Sequence, residues 1–132
     1  MSVPTSSLRL VGRSIVDERS ERGRAGEDAA QRVYERRGYV VIGRNWRCAL
    51  GELDLVLLRR SLLVFCEVKT RSGPGFGGGY EAVSRSKRRR IRSLAEMFIR
   101  QHGLAHSDVR FDVASVWLSG GRPDVEVFED AF

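Results

Sequence analysis

The chain has 132 residues, enough for one domain with a hydrophobic core and too few for two ordinary domains. Its formal net charge of +6 and pI near 10.1 favour a polyanionic partner, foremost nucleic acid, over an acidic substrate or a neutral small molecule. The two cysteines, Cys48 and Cys66, have no metal-binding spacing, so we expect neither a disulfide framework nor a zinc site, and we expect a cytoplasmic protein. No apolar run approaches the roughly 18 residues that a membrane helix needs, and we expect no membrane association.

The N-terminal part of the chain predicts a tail followed by a helix. Residues 1–22 show no sustained periodicity, which predicts a flexible basic tail, and residues 23–132 form a single predicted domain. Apolar residues then recur at helical spacing, and Gly38 stands where a helix C-terminal cap belongs. Glu27 would lie at the edge of the buried stripe, in the first turn of this helix, where a carboxylate also suits the helix dipole.

A strand over residues 39–47 leads into two apolar runs, Leu53 to Leu58 and Leu62 to Val68, which predict a β-hairpin. For a loop of even length centred between Arg60 and Ser61, opposed residues have numbers that sum to 121. An odd loop length would shift this register.

Charged residues at the open end of the hairpin need a physical reason. In the predicted register Asp54 faces Glu67, and Glu52 faces Lys69. Opposed side chains lie about 5 Å apart at Cβ, and two carboxylates placed in this way repel each other. Either a divalent cation held between Asp54 and Glu67 or the nearby ammonium of Lys69 would offset the repulsion.

The second half of the chain predicts a loop, a helix and two strands. Residues 72–80 have the composition of a loop, and they lack the Gly-Lys-Ser/Thr ending of a phosphate cradle. A helix is predicted from Ser84 to Gln101, followed by strands over residues 110–118 and 124–128. The order α-β-β-β-α-β-β predicts an α/β domain with a mixed central sheet flanked by helices.

Basic side chains on the second predicted helix fall into two groups. Lys87 precedes the apolar Ile91 by four residues and therefore points along the inward face. A second group lies largely on the opposite side, either as a solvated face or as contacts to a phosphate backbone: Arg85, Arg88, Arg89 and Arg92. Of the 23 basic residues, Lys87 and Lys69 are the only lysines, which suggests sites where a compact ammonium is needed.

These residues carry a family resemblance. Asp54 followed by Glu67-Val68-Lys69, with Glu27 on a preceding helix, resembles the core of the restriction-endonuclease-like PD-(D/E)XK nucleases, which include archaeal-type Holliday junction resolvases. More specifically, residues 23 to 118 resemble the bacterial YraN family of endonuclease-like proteins. The segments that carry this likeness include Gly26-Glu27-x-Ala29, Arg44-Asn45-Trp46-Arg47, Gly51-Glu52-Leu53-Asp54, Glu67-Val68-Lys69-Thr70-Arg71 and Arg110-Phe111-Asp112-Val113.

The resemblance implies a metal-dependent endonuclease that hydrolyses DNA phosphodiester bonds, with branched, repair or recombination intermediates as one substrate class. Asp54, Glu67 and the Val68 carbonyl would bind Mg²⁺ or Mn²⁺, and Lys69 would hold the attacking water. Glu27 would bind a second metal ion or orient a water ligand of the first. Arg71 and Lys87 would contact phosphate.

Three alternatives compete with this interpretation: a structural ion-pair network, a non-catalytic nucleic-acid-binding module that acts with a partner protein, and an RNA- or ribosome-associated protein. We expect Arg110 and Asp112 to be either residues of a sheet edge or supporting polar residues. Since a domain of this size offers one cleavage site, cutting both strands of a duplex would need a homodimer or two successive nicks.

Overall fold

The structure is a computed structural model that describes residues 15–71, 83–118 and 120–132. Residues 72–82, including the predicted loop, and residues 1–14 of the predicted tail lie outside the described ranges. The elements follow the predicted order: α1 (Ile15–Arg36), β1 (Val40–Cys48), β2 (Gly51–Arg59), β3 (Leu62–Arg71), α2 (Arg85–His102), β4 (Asp108–Trp117) and β5 (Asp124–Phe128).

The five strands form one mixed sheet in the order β1-β2-β3-β4-β5. The β3 and β4 strands run parallel, and the other three neighbouring pairs are antiparallel. This arrangement confirms the predicted α/β class. None of the described helices is long and apolar enough to cross a membrane.

The start of α1 corrects the sequence-based prediction. The helix begins at Ile15, so residues 15–22 are helical and do not belong to a tail. Apolar periodicity did not reveal this part of the helix, because Ser20, Glu21 and Arg22 are polar and exposed. At the other end, Gly38 adopts a φ of 91°, and the helix closes there as predicted.

The two helices cover opposite faces of the sheet. Ala29, Ala30 and Tyr34 of α1 pack with sheet residues that include Leu55 and Val64. On the other face, α2 buries an apolar stripe against another set of sheet residues, the stripe consisting of Ile91, Leu94, Ala95 and Phe98. Because each face of the sheet is covered, apolar residues on both sides of β2 and β3 are buried.

The β2–β3 hairpin has the predicted register. Pairs run from Arg59↔Leu62 to Leu55↔Cys66, and in each pair the residue numbers sum to 121. The paired ladder ends at Leu55, although β2 begins at Gly51 and β3 continues to Arg71. The two strands therefore stop pairing just before Asp54 and Glu67, so the predicted ladder pair of these two residues is wrong, although the charge of Glu67 still acts on Asp54.

The expected pairing of Glu52 with Lys69 is wrong. The β2–β3 ladder stops before these positions, and in the other ladder of β2 Glu52 pairs with Arg47 of β1. Its carboxylate Oε2 lies 3.4 Å from Arg47 Nε. Glu52 therefore has a cationic partner on the opposite side of β2 from Lys69.

A reversal of side-chain direction marks β2 at Asp54. Leu53 packs in the core on the α2 side of the sheet, whereas Leu55 packs in the core on the α1 side. Residues two apart in a regular strand face the same side. The backbone of β2 is therefore irregular between these leucines, at Asp54.

In the neighbouring strand β1, the side chains also switch faces of the sheet, at the position beside Asp54. Trp46 packs on the α2 side, while Arg44 reaches Asp28 on α1. Asn45, between them, has a φ of 52°, in the left-handed region. The β1–β2 ladder pairs Arg44 with Leu55 and Trp46 with Leu53, which leaves Asn45 beside Asp54 at the shared irregularity.

Arg110 and Asp112 form a buried polar network under α1. The fully buried carboxylate of Asp112 accepts the Tyr34 hydroxyl at 2.7 Å and two Arg110 N–H groups at 2.8 and 2.9 Å. Burial raises the pKa of Tyr34, and the hydrogen bond to Asp112 raises the pKa of Arg110. This network ties α1 to β4, in keeping with the predicted supporting role.

Candidate functional site

Asp54 lies where β2 and β3 part. Its Oδ2 accepts a hydrogen bond of 2.8 Å from the backbone N–H of Val68. Burial, followed by the negative charge of Glu67, raises the pKa of Asp54 to about 7, even though the Val68 N–H acts in the opposite direction. The charges of Glu27 and Glu52 add to the same upward shift. Three further carboxylates therefore act on Asp54.

Glu67 is buried, with its side chain only 10% exposed, and its cationic partner comes from α2. The Nζ atom of Lys87 lies 3.1 Å from Glu67 Oε1. Lys87 is in the first turn of α2, where the hydroxyl oxygen of Ser84 caps the helix by accepting the Lys87 backbone N–H at 3.2 Å. The inward direction predicted for Lys87 is thus confirmed.

Lys69 does not offset the negative charge of Glu67, which was one of the two expectations for this lysine. It lies half-buried on β3 two residues beyond Glu67, and it forms no ion pair with any described residue. Lys87 compensates the charge of Glu67 instead. The ammonium of Lys69 therefore stays available at the open end of the strand.

Glu27 also belongs to this cluster, but not as a residue of the first helical turn. Because α1 starts at Ile15, Glu27 lies in the middle of the helix, and the predicted dipole contribution does not apply. Its Oε1 accepts a 3.0 Å hydrogen bond from Asn45 Nδ2 and lies 3.5 Å from Arg44 Nε. Its side chain is 13% exposed, so these contacts fix its position against the sheet.

The position of Glu27 depends on the glycine before it. Gly26 is buried where α1 crosses β3, and a Cβ atom built there would overlap the hydroxyl oxygen of Thr70. Only a residue without a side chain allows this close approach. Gly26 therefore brings Glu27 close to the end of β3 that carries Glu67.

Sequence reasoning gave no role to Asn45, which the structure places at the centre of the site. Its side-chain amide holds Glu27, and its backbone adopts the left-handed conformation beside Asp54. The available signal was an asparagine inside an otherwise strand-like segment, since asparagine tolerates a positive φ better than most residues.

The residues predicted to contact phosphate are placed differently from one another. Arg85 and Arg89 are exposed on α2. Arg88 donates from Nε to the Val83 carbonyl at 2.9 Å, and the guanidinium carbon of Arg92 lies 4.7 Å from the centre of the Phe111 ring. Arg71 ends β3, with its guanidinium carbon 5.9 Å from the Trp117 ring centre.

The carboxylates suit a hard divalent cation. Across the described residues, no three His, Cys, Asp or Glu side chains form a metal-binding group by themselves. Mg²⁺ usually needs only one or two carboxylates, with waters and phosphate oxygens completing its shell. Asp54 and Glu67 supply such a pair. Burial and then the charge of Glu67 raise the pKa of Asp54, and a cation between the two carboxylates would relieve their repulsion. The donor set therefore fits the ion.

The fold and the site together define an α/β domain with a carboxylate cluster where two central strands part. The uncharacterised protein family UPF0102 matches residues 26–116, and the chain belongs to this family, which is the YraN family of the sequence resemblance. A UPF0102 protein of Clavibacter michiganensis is 46% identical over 110 residues, covering 83% of this chain and 93% of the relative. One from Frankia alni is 53% identical over 103 residues, covering 78% and 82%. One from Moorella thermoacetica is 43% identical over 116 residues, covering 86% and 97%.

Proposed function

We propose that this protein is a metal-dependent endonuclease of the PD-(D/E)XK class that hydrolyses phosphodiester bonds of DNA in the cytoplasm. The observation that carries the proposal is the pair Asp54 and Glu67 at the strand divergence, where burial, and after it the negative charge of Glu67, raises the pKa of Asp54 to about 7. A buried like-charge pair is unfavourable for stability and is typical of a functional site. The basic character of the chain adds electrostatic attraction for DNA.

Each residue of the cluster has a distinct part in this proposal. Asp54 and Glu67, with the Val68 carbonyl and Glu27, would hold Mg²⁺ or Mn²⁺, which supplies Lewis acidity at the scissile phosphate when bound. Lys69, whose ammonium has no described ion-pair partner, would orient the attacking water and favour its deprotonation. Lys87 would keep Glu67 in place and offer charge to a phosphate oxygen.

A cleavage panel tests the proposal. Duplex, single-stranded and branched DNA are incubated with the protein in Mg²⁺, Mn²⁺ or EDTA, beside Asp54→Asn, Glu67→Gln and Lys69→Ala. We expect cleavage with a metal and none in EDTA. Each variant should lose more than about 100-fold in rate, since changes beside a metal ligand alone cost 10- to 100-fold. Glu126→Gln, at an exposed carboxylate of β5, is the matched control and should retain wild-type activity.

The same panel separates the nuclease from a non-catalytic DNA-binding module that acts through a partner. If the wild type and all variants bind DNA equally and none cuts any substrate with either metal, the nuclease proposal fails. Metal-independent binding of RNA in preference to DNA would instead favour a structural RNA-associated protein. Circular dichroism of each variant ensures that lost cleavage is not lost folding.

A further inference from the structure

A basic groove runs between α1 and the start of β5. Its volume is about 650 Å³, and it is lined by Ala29, Arg32, Val33, Arg36, Arg122, Pro123, Asp124 and Val125. Three guanidinium groups and one carboxylate line it, so the groove is net positive. Its alanine, valine and proline side chains provide an apolar floor, and none of its residues belongs to the carboxylate cluster described above.

The three arginines of the groove are exposed and form no ion pair with any described residue. The acidic residues of α1 that helical spacing would bring to Arg32 are engaged elsewhere. Asp28 lies 2.8 Å from the Nη2 atom of Arg44, and Glu35 accepts a hydrogen bond of 3.0 Å from Gln31. The guanidinium groups of Arg32 and Arg36 are therefore not held in ion pairs by the acidic side chains of their own helix.

One end of the groove, at Asp124, lies at the same end of the sheet as the carboxylate cluster, and from there the groove runs along α1 toward Arg36. Arg71 at the end of β3 is paired with Trp117 of β4, and Trp117 is paired with Asp124 of β5. Two strand spacings, about 10 Å, separate β3 from β5 across the sheet. A nucleic-acid strand that reaches the cluster would therefore meet the groove within a few nucleotides.

We propose that this groove binds backbone phosphates of the DNA strand that flanks the carboxylate cluster, an inference that rests on the proposed function. Guanidinium groups bind phosphate through paired hydrogen bonds. Arg32 and Arg36 lie one turn apart, about 6 Å along α1, which matches roughly two nucleotides at a rise of about 3.4 Å each. Such contacts fix the register of the strand without reading its sequence.

Binding measured in EDTA tests the groove without requiring cleavage. Fluorescein-labelled DNA is titrated with the wild type, with Arg32→Gln/Arg122→Gln, and with the control pair Arg60→Gln/Arg100→Gln over a series of salt concentrations. The control arginines are also exposed, lie outside the groove and remove the same charge. We expect the groove variant to bind on the order of tenfold more weakly, and its salt slope to fall by about 2, because two phosphates are no longer neutralised.

The outcomes separate the groove from the nuclease proposal. If the groove variant and the control variant lose the same affinity for DNA and have equal salt slopes, the groove proposal is wrong, because DNA binding would then depend on net charge alone. A wild type that does not bind DNA overturns it as well. If the groove variant weakens as expected while the wild type cuts nothing in Mg²⁺ or Mn²⁺, the groove stands and the proposed nuclease fails.

Discussion

Asn45 contributes to the site both through its left-handed backbone conformation and through its side-chain amide. Its φ of 52° costs free energy for any residue with a side chain, although asparagine bears it better than most. With this φ angle, the side chains of β1 switch faces of the sheet beside Asp54. The asparagine amide then reaches Glu27 at 3.0 Å. Strained backbone held in place by surrounding structure is common at functional sites, so the amide and the φ angle should be tested separately.

Two substitutions separate the contributions of Asn45. Asn45→Gly keeps the positive φ at no steric cost but removes the amide, so stability should change little while cleavage falls about 10- to 100-fold. Asn45→Ala removes the amide and also strains the backbone, which should cost a further 1 to 2 kcal/mol or so, measured by chemical denaturation. A glycine variant that cleaves DNA at the wild-type rate would show that the amide does not position Glu27.

At the scale of elements, the close crossing of α1 and β3 at Gly26 determines whether Glu27 reaches the site. Alanine is normally the better helix former by about 1 kcal/mol. At Gly26, however, the added methyl group would overlap Thr70 Oγ1, so that the helix has to shift away from β3. The two glycines of α1, Gly23 and Gly26, therefore make an informative comparison.

We expect Gly26→Ala and Gly23→Ala to change the free energy of unfolding in opposite directions. A Cβ at Gly23 has no atom within 4 Å, so this variant should gain about 1 kcal/mol. Gly26→Ala should lose on the order of 1 to 3 kcal/mol by overpacking. In a Thr70→Gly background, which is itself less stable because glycine weakens a strand, Gly26→Ala should cost less than it does in the wild type. Urea denaturation measures all three, and equal gains at both glycines would refute the close-contact argument.

Local sequence patterns determined the elements well but could not locate contacts between them. The apolar runs and the even loop at Arg60 and Ser61 were enough to predict the hairpin register, because side chains alternate with a period of two. The early start of α1 was missed because the sequence before Gly23 carries no apolar periodicity. The Lys87–Glu67 ion pair and the Asn45–Glu27 hydrogen bond join residues far apart in sequence, so only the folded chain identifies them.

For the molecule as a whole, the candidate site lowers the free energy of unfolding at neutral pH. The raised pKa of Asp54 means that the folded protein binds a proton more tightly than the unfolded chain does. This proton's contribution to stability is complete below the ordinary carboxyl pKa of 3.8, and it is lost as the pH rises to about 7. Above that pH, burial of the charged Asp54 carboxylate and its repulsion by Glu67 lower the stability of the folded protein by a fixed amount, in keeping with a site selected for function.

Replacing the Asp54 carboxyl by an amide should therefore stabilise the metal-free protein in a pH-dependent way. The negative charge is not needed for the hydrogen bond from the Val68 N–H, because the neutral amide oxygen of Asp54→Asn still accepts it. In EDTA, the stability of Asp54→Asn relative to the wild type should rise between pH 4 and pH 7, by at most about 1.4 kcal/mol per pH unit and less where water screens the charges, and then level off. Asp108→Asn, which removes an exposed carboxylate of β4, controls for net charge.

The sign of this effect distinguishes a metal site from an ion-pair network. If Asp54 were stabilised by a cationic side chain, its removal would lower the free energy of unfolding at pH 8, because the partner's charge would be left without compensation. If Asp54 and Glu67 only repel each other in the absence of a cation, removing the charge of Asp54 raises the free energy of unfolding at pH 8. Thermal denaturation at pH 4 and pH 8 reports the difference without any cleavage assay, and a lower stability of Asp54→Asn at pH 8 would count against the metal site.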